Sequence, residues 1–354
     1  MKKIGVYTII ADNFGAQLQA YATAKYLTSV CKGCSVELVR IKEAAREKSW
    51  KRIIKSFLPS YIKKKKAYND FKHLSPLTSK SYTGNELIEF SLAYDLYIVG
   101  SDQVWNVSEG MGDHLIYFLP FQTQSPKIAL ASSFGVKSIP ESLKKEIYSY
   151  LSDFSEICVR ERDGVSILED LNISSQQILD PTFWIDKSEW EKLAGDIPIV
   201  KGDYIAAIGF ETSYDGPQKL MDSVKEIYGI PIVGLNTYRG FHYDKRFNSF
   251  GPKEFLNVVK FAKLVVTSSF HTIVFSLMFQ KDFYLLKHTK RNSRMHNLLV
   301  SLNLLDRMID GESNDYISIL QEKRHIDYSV VNEKLFSAQL NTRKIINNVI
   351  VKYI

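Results

Sequence analysis

A chain of 354 residues with 45% hydrophobic and 24% charged residues has the balance of a folded globular protein, which excludes a disordered or fibrous chain and leaves no need for disulfides or structural metals to hold a core. The net charge of +7 is unevenly placed: residues 42–66 hold ten Lys or Arg against Glu43 and Glu47, so this segment carries +8 and the rest of the chain about −1. No apolar run approaches the roughly 20 residues needed to span a bilayer, and Met1-Lys2-Lys3 followed by Ile4 to Ile10 lacks the cleavage pattern of a signal peptide, so a first strand and a cytoplasmic protein are expected.

Lys2 to Ile10 is predicted as a buried strand, Ala11 to Gly15 as a turn, Ala16 to Thr28 as a helix and Ser35 to Ile41 as a second strand. This β-turn-α-β opening is the unit of a doubly wound parallel sheet. Further strands are expected over Tyr94–Gly100, Lys127–Phe134, Ile157–Arg160 and Gln176–Leu179, with helices over Pro140–Phe154 and Asp163–Leu171. A second α/β series follows. Its strands are Tyr204–Phe210, Pro231–Leu235, Leu264–Ser268 and Phe283–Leu286; its helices are Gln218–Tyr228, Pro252–Ala262, one opening near Ser269, and Met295–Leu304. The two series meet near 185–200, where Pro198 and Gly202 suit a linker. The expected organisation is a Rossmann-like domain over 1–190 with a basic insert at 42–90, a second over 191–330, and a helix over 331–354 that packs back on the first.

In the insert, Trp50, Ile53, Ile54, Phe57 and Leu58 share one helical face before Pro59. A basic helix with such a face can rest on a membrane interface through residues 46–58, or pack on its own domain with solvated lysines. Nucleic-acid binding is not expected, because no zinc finger, RNP-like strand or second basic face accompanies it. Cys31, Cys34 and Cys158 suit a reducing compartment. The Cys31-x-x-Cys34 pair has no partner ligands nearby and follows a helix, so a zinc or redox role is not expected.

Ligands of open α/β sheets lie beyond the carboxyl ends of the strands. Four such ends carry unusual polarity. Asp12-Asn13-Phe14-Gly15 follows the first strand: Gly15 permits close backbone approach, Asp12 could accept a proton, and the same residues would serve a capped turn. No G-x-G-x-x-G accompanies it, so a dinucleotide fingerprint is absent. Ser101-Asp102-Gln103-Val104-Trp105-Asn106 combines a flat aromatic with amides and a carboxylate, as a carbohydrate platform would. Arg160-Glu161-Arg162-Asp163 offers a guanidinium for a carboxylate or phosphate, or a salt-bridged helix start. Ser268-Ser269-Phe270-His271-Thr272 opens a helix whose backbone amides attract an anion, with His271 in its first turn. Lys287, His288, Arg291 and Arg294 add positive charge further on.

Taken in order, Asn13-Phe14-Gly15-Ala16-Gln17-Leu18-Gln19-Ala20-Tyr21, Val99-Gly100-Ser101-Asp102-Gln103-Val104-Trp105-Asn106, Ala131-Ser132-Ser133-Phe134-Gly135, Val159-Arg160-Glu161, Leu179-Asp180-Pro181-Thr182, Ser269-Phe270-His271 and the Arg291/Arg294 segment resemble the polysaccharide pyruvyl transferases. The motifs run across residues 4–305; the insert at 42–90 and the tail beyond about 310 share none of them.

The resemblance implies a GT-B-like α/β fold of two Rossmann-type domains facing a central cleft. It implies transfer of a carboxyethylidene group from phosphoenolpyruvate to two hydroxyls of a sugar in a cell-surface polysaccharide precursor, giving a pyruvate ketal and phosphate. It assigns Arg160, Ser269, His271, Arg291 and Arg294 to the donor, and Asn13, Gly15, Ser101, Gln103, Trp105 and Asn106 to the acceptor. His271, Asp12 and Asp102 are the catalytic candidates. No cofactor or metal is called for, and a lipid-linked acceptor would bring the protein to the inner membrane face. Two positions depart from the family pattern: Thr272 follows the histidine where a small residue is usual, and Gly15-Ala16-Gln17 replaces the Gly-Asp-Glu of some relatives, which leaves Asp12 and Asp102 as alternative bases. A GT-B glycosyltransferase using a nucleotide sugar and a non-catalytic assembly scaffold are the competing expectations.

Overall fold

The structure, a computed structural model, describes residues 1–42, 57–108, 110–210, 214–235, 240–287, 292–313, 315–322 and 325–354. The expected apolar face at Trp50, Ile53 and Ile54 and the donor candidate Arg291 lie outside the described residues. The chain divides into two compact units, one of Met1–Ser49, Asp70–Ile185 and Phe336–Ile354, the other of Trp50–Asn69 and Asp186–Leu335.

In the first unit the elements run β1 (Lys3–Tyr7), α1 (Phe14–Val30), β2 (Ser35–Ile41), the end of α2 (Pro59–Lys72), β3 (Leu77–Tyr82), α3 (Gly84–Glu89), β4 (Leu96–Val99), β5 (Lys127–Ser132), α4 (Glu141–Leu151), β6 (Glu156–Val159), α5 (Arg162–Asp170) and β7 (Gln176–Gln177). The sheet is wholly parallel, in the order β3-β2-β1-β4-β5-β6-β7. Its central strands read as apolar runs because helices cover both faces: every residue of β4 and β5 is buried. β3, by contrast, is a mostly exposed edge strand, Leu-Thr-Ser-Lys-Ser-Tyr, whose polarity hides it from a pattern search and whose lysine guards the edge.

The second unit repeats the plan with α6 (Lys187–Ala194), β8 (Ile205–Ile208), α7 (Gly216–Tyr228), β9 (Ile232–Leu235), β10 (Lys245–Phe247), α8 (Pro252–Phe261), β11 (Leu264–Thr267), α9 (Phe270–Met278), β12 (Asp282–Leu286), α10 (Ser293–Ser301), β13 (Met308–Ile309), α11 (Tyr316–Gln321) and the start of α12 (Tyr328–Val351). Its parallel sheet runs β10-β9-β8-β11-β12-β13. Both sheets therefore reverse direction of growth at one place, between β1 and β4 and between β8 and β11. Crevices for ligands form at such switch points, outside the carboxyl ends of the strands.

The unit boundary falls at Ile185, at the start of the expected 185–200 junction, because 187–194 is a helix tied to the second unit. Trp190 is fully buried edge-on to Phe275, and the Asn257 amide donates to the carbonyls of Ala194 and Ile197, both at 2.9 Å. A boundary at 190 would cut this helix. Residues 57–69 of the insert group with the second unit rather than the first. The tail is helical: Tyr26 donates to Asn347 Oδ1 at 3.1 Å, the Leu179 amide to Thr342 Oγ1 at 3.1 Å, and Arg343 Nε to the Trp184 carbonyl at 2.9 Å, all within the first unit.

Candidate functional site

At the first unit's switch point, Gly100 follows β4 because a Cβ there would stand 2.9 Å from that of Thr8 at the end of β1. The close approach lets Thr8 Oγ1 donate to the Ser101 carbonyl at 2.8 Å while Gln19 of α1 donates to Thr8 at 3.0 Å. The next residue, Asp102, has φ +74°, and Ala131 beside it in β5 has φ +60° at the point where the β5–β6 register shifts. Left-handed backbone costs a residue bearing a Cβ roughly 1–2 kcal/mol, and such strain clusters at functional sites. Here it is imposed by pairing between Asp102 and Ser132, with the Ser133 amide donating to the Asp102 carbonyl at 3.1 Å.

Arg160, one residue past β6, organises the floor of this site. Its side chain is 2% exposed and its Nη1 donates to Asp180 Oδ2 at 2.7 Å; Glu161 stands at 3.7 Å and Asp102 at 4.0 Å. Burial works against the guanidinium charge, and Asp180, Glu161 and Asp102 more than offset it, so its pKa is raised. Asp180 is held in turn by the amide and hydroxyl of Thr182 at 3.0 and 2.6 Å. Glu161 Oε1 accepts from Ser133 Oγ at 2.6 Å and from the Gly135 amide at 3.2 Å.

Three of the expected site residues are buried here. Among the described residues the Arg160 guanidinium faces three internal carboxylates, those of Asp180, Glu161 and Asp102. Trp105 offers no face to a sugar, being fully buried against Phe118 and Phe134 with Nε1 donating to the Tyr117 carbonyl at 2.9 Å. Ser101 is likewise fully buried, its hydroxyl turned to Asp180 at 3.4 Å.

Other expected residues remain near the surface of this site. Asp12 is half-exposed and 3.7 Å from Lys72 Nζ. Asn13 caps α1, its Oδ1 accepting from the Ala16 amide at 3.3 Å, and Gly15 is buried in the first turn. Asp102 Oδ1 accepts from the Gln103 amide at 2.9 Å, and the Asn106 amide reaches Gln103 Oε1 at 3.5 Å. Gln103 Nε2, both side-chain heteroatoms of Gln17, and Glu161 Oε2 are buried without a hydrogen-bond partner. Buried polar atoms are normally satisfied, so these are places where a ligand's hydroxyls would complete the bonding. Sequence reasoning gave no role to Gln17 or Asp180. A glutamine among the buried Gly15, Ala16 and Leu18 was the available signal for the first.

The second unit's switch point is built differently. Thr267 Oγ1 at the end of β11 donates to the Ile208 carbonyl at 2.6 Å and accepts from the Ser269 amide at 2.9 Å, fixing the entry to α9. Gly209 follows β8 with φ +70°, and a Cβ there would stand 2.8 Å from that of Ser269. Ser269 makes no side-chain cap at the positive end of the helix. His271 packs edge-on to Phe270, rings 5.3 Å apart, and the Arg294 guanidinium lies 5.5 Å from the Phe270 ring. Ser268 Oγ and Thr272 Oγ1 are buried and unpartnered. Gly209, Ser268, Ser269, His271 and Arg294 thus share a cationic, donor-rich neighbourhood.

Cys31 is buried and Cys34 half-buried, both as free thiols; burial, reinforced by Cys34, pushes Cys31 up to about 12.

Solved structures resemble the whole chain. The UDP-GlcNAc 2-epimerase of Neisseria meningitidis, solved with UDP-GlcNAc, matches with a TM-score of 0.54 at 10% identity, over 99% of this chain and 100% of that one. The UDP-GlcNAc 2-epimerase of Methanocaldococcus jannaschii, in complex with UDP-GlcNAc and UDP, matches with a TM-score of 0.55 at 12% identity, over 97% and 98%. The UDP-N-acetylglucosamine 2-epimerase of Rickettsia bellii gives 0.53 at 10% identity, over 98% of each chain. At these identities the likeness is one of fold, the GT-B-type α/β fold with two Rossmann-type units. Among curated proteins no sequence matches. The sequence profile of the polysaccharide pyruvyl transferases matches residues 13–289, which include Asp102, Arg160 and His271, and the chain belongs to that family.

Proposed function

We propose that this protein transfers the carboxyethylidene group of phosphoenolpyruvate to two hydroxyls of a sugar in a lipid-linked precursor of a cell-surface polysaccharide, on the cytoplasmic side of the membrane. The observation that carries the reading is the division of chemistry between the switch points: carboxylates and unpartnered amides at the first, helix-start amides, His271 and Arg294 at the second. Phosphoenolpyruvate is a small anion with a phosphate and a carboxylate, and the second set suits it. A saccharide presents neutral hydroxyls, which suit Asp102, Gln103, Asn106 and Gln17.

The reaction needs a proton at the methylene carbon, attack of one hydroxyl oxygen on the adjacent carbon, rupture of the bond from that carbon to the phosphate oxygen, and closure by the second hydroxyl. Of the two hydroxyl protons released overall, one balances the new methyl group and the other leaves with phosphate. His271 is assigned as the acid toward the methylene carbon or the departing phosphate. Asp102 is assigned as the base in preference to Asp12. Asp102 is fixed by its strained backbone and is 19% exposed, with one carboxylate oxygen held by the Gln103 amide, whereas Asp12 faces Lys72.

Incubation with phosphoenolpyruvate and a panel of lipid-linked and nitrophenyl sugars should release phosphate in step with a mass gain on one glycan. Turnover of a nucleotide sugar with no response to phosphoenolpyruvate would replace this reading by glycosyl transfer. Unimpaired glycan modification in cells carrying His271→Ala would replace it by a scaffold role.

A further inference from the structure

Helix α2 is exposed at its start and buried further along. Tyr68 and Phe71, in its second half, are each 1% exposed, while Leu58, Tyr61 and Ile62 at its start, grouped at i, i+3 and i+4 spacing, are 45, 36 and 55% exposed. Phe57 immediately before them is 75% exposed. Four large apolar side chains within six residues of sequence therefore stand in water, and a soluble surface seldom gathers them without a partner. The same stretch is strongly basic: Lys63, Lys64, Lys65 and Lys66 follow, with no Asp or Glu between residues 57 and 69. Lys63 and Lys65 are exposed. Among the described residues no helix is long and apolar enough to cross a membrane, so this face does not mark a span.

We propose that the exposed start of α2 docks on an anionic bilayer surface, with Phe57, Leu58, Tyr61 and Ile62 entering the headgroup layer, Lys65, seven residues from Leu58 on the same side, lying against lipid phosphates, and Lys63 adding charge nearby. Tyr61 has the apolar ring and polar tip that suit this depth. Helices that lie in the interface combine an apolar strip with lysines beside it, and anionic lipid attracts each lysine near the surface. The apolar strip alone would suit any hydrophobic partner; the run of lysines with no intervening acid selects a surface of the opposite sign. The inference rests on α2 and makes no use of the transfer reaction, so either can fail alone.

The test is sedimentation of the full chain with vesicles of phosphatidylcholine, or of an equimolar mixture with phosphatidylglycerol. The wild type should bind the anionic vesicles, pass over the neutral ones, and release as salt rises and the screening length falls from about 10 Å at 0.1 M to about 3 Å at 1 M. Leu58→Ser/Tyr61→Ser/Ile62→Ser and, separately, Lys63→Gln/Lys65→Gln should each lose about tenfold or more in affinity. All five positions are exposed, and circular dichroism checks that each variant stays folded. Equal binding by the variants, or no binding of the wild type to anionic vesicles, overturns the proposal. So does a concentration-dependent dimer that the serine variant abolishes without any vesicle binding, since a second copy would then be the occupant.

Discussion

The two switch points share one strand order and differ in nearly everything placed on it. At the first, the chain spends backbone strain and buried charge: Asp102 and Ala131 are left-handed, and Arg160 is enclosed by Asp180, Glu161 and Asp102. At the second it relies on a helix start opened by a glycine, with a histidine in its first turn and an arginine over the neighbouring ring. Strand order fixes where a ligand can bind; the side chains at the strand ends decide its sign. A surplus of carboxylates disfavours a phosphorylated acid, and the positive end of α9 favours one.

The comparison can be broken most sharply at Asp102. Asp102→Asn keeps the shape of the side chain and removes the proposed base, so the proposed ketal formation should fall roughly 10²- to 10⁴-fold with circular dichroism unchanged. Rates that follow Asp12→Asn instead would move the base to the first turn. Arg160→Ala tests the claim that this arginine is internal. It leaves buried carboxylates unpaired and should cost about 3–5 kcal/mol in denaturant unfolding. If it weakened phosphoenolpyruvate binding at undiminished stability, Arg160 would belong to the donor site after all.

Gly209→Ala probes the other side: a Cβ at φ +70° and 2.8 Å from Ser269 should cost about 1–3 kcal/mol and raise the KM for phosphoenolpyruvate more than that for the sugar. The smallest effect serves as a reporter. Cys158 on β6 is fully buried, and burial, followed by the Glu156 carboxylate, pushes its thiol up to about 12, while Cys31 is raised similarly. At neutral pH both should resist iodoacetamide while the half-buried Cys34 reacts, as peptide mass mapping would show. Labelling of Cys158 should rise in Arg160→Ala if the cluster closes this end of the unit.

Much of this was legible in sequence because parallel strands buried on both faces are written as unbroken apolar runs. Leu96–Val99, Ile205–Ile208 and Leu264–Thr267 could be read directly, and polar residues straight after them mark strand ends. The edges were not legible: β3 is polar, and β10 and β13 are three and two residues long, too short for periodicity. Within the site, residue type suggested ligands where burial shows otherwise. Trp105 and Arg160 have the chemistry of a sugar platform and an anion clamp, but whether a side chain faces outward depends on tertiary packing, which a pattern of residue types does not carry. Gln17 illustrates the reverse, since its unpartnered amide emerges only once α1 is packed.

The most direct test of the division between the switch points is calorimetric titration of phosphoenolpyruvate into the wild type, His271→Ala and Asp102→Asn. The account predicts that Asp102→Asn binds as the wild type does and that His271→Ala binds about tenfold or more weakly, in line with the loss of a charge-assisted contact. The opposite pattern, or wild-type protein that binds a uridine nucleotide in preference to phosphoenolpyruvate, would contradict it.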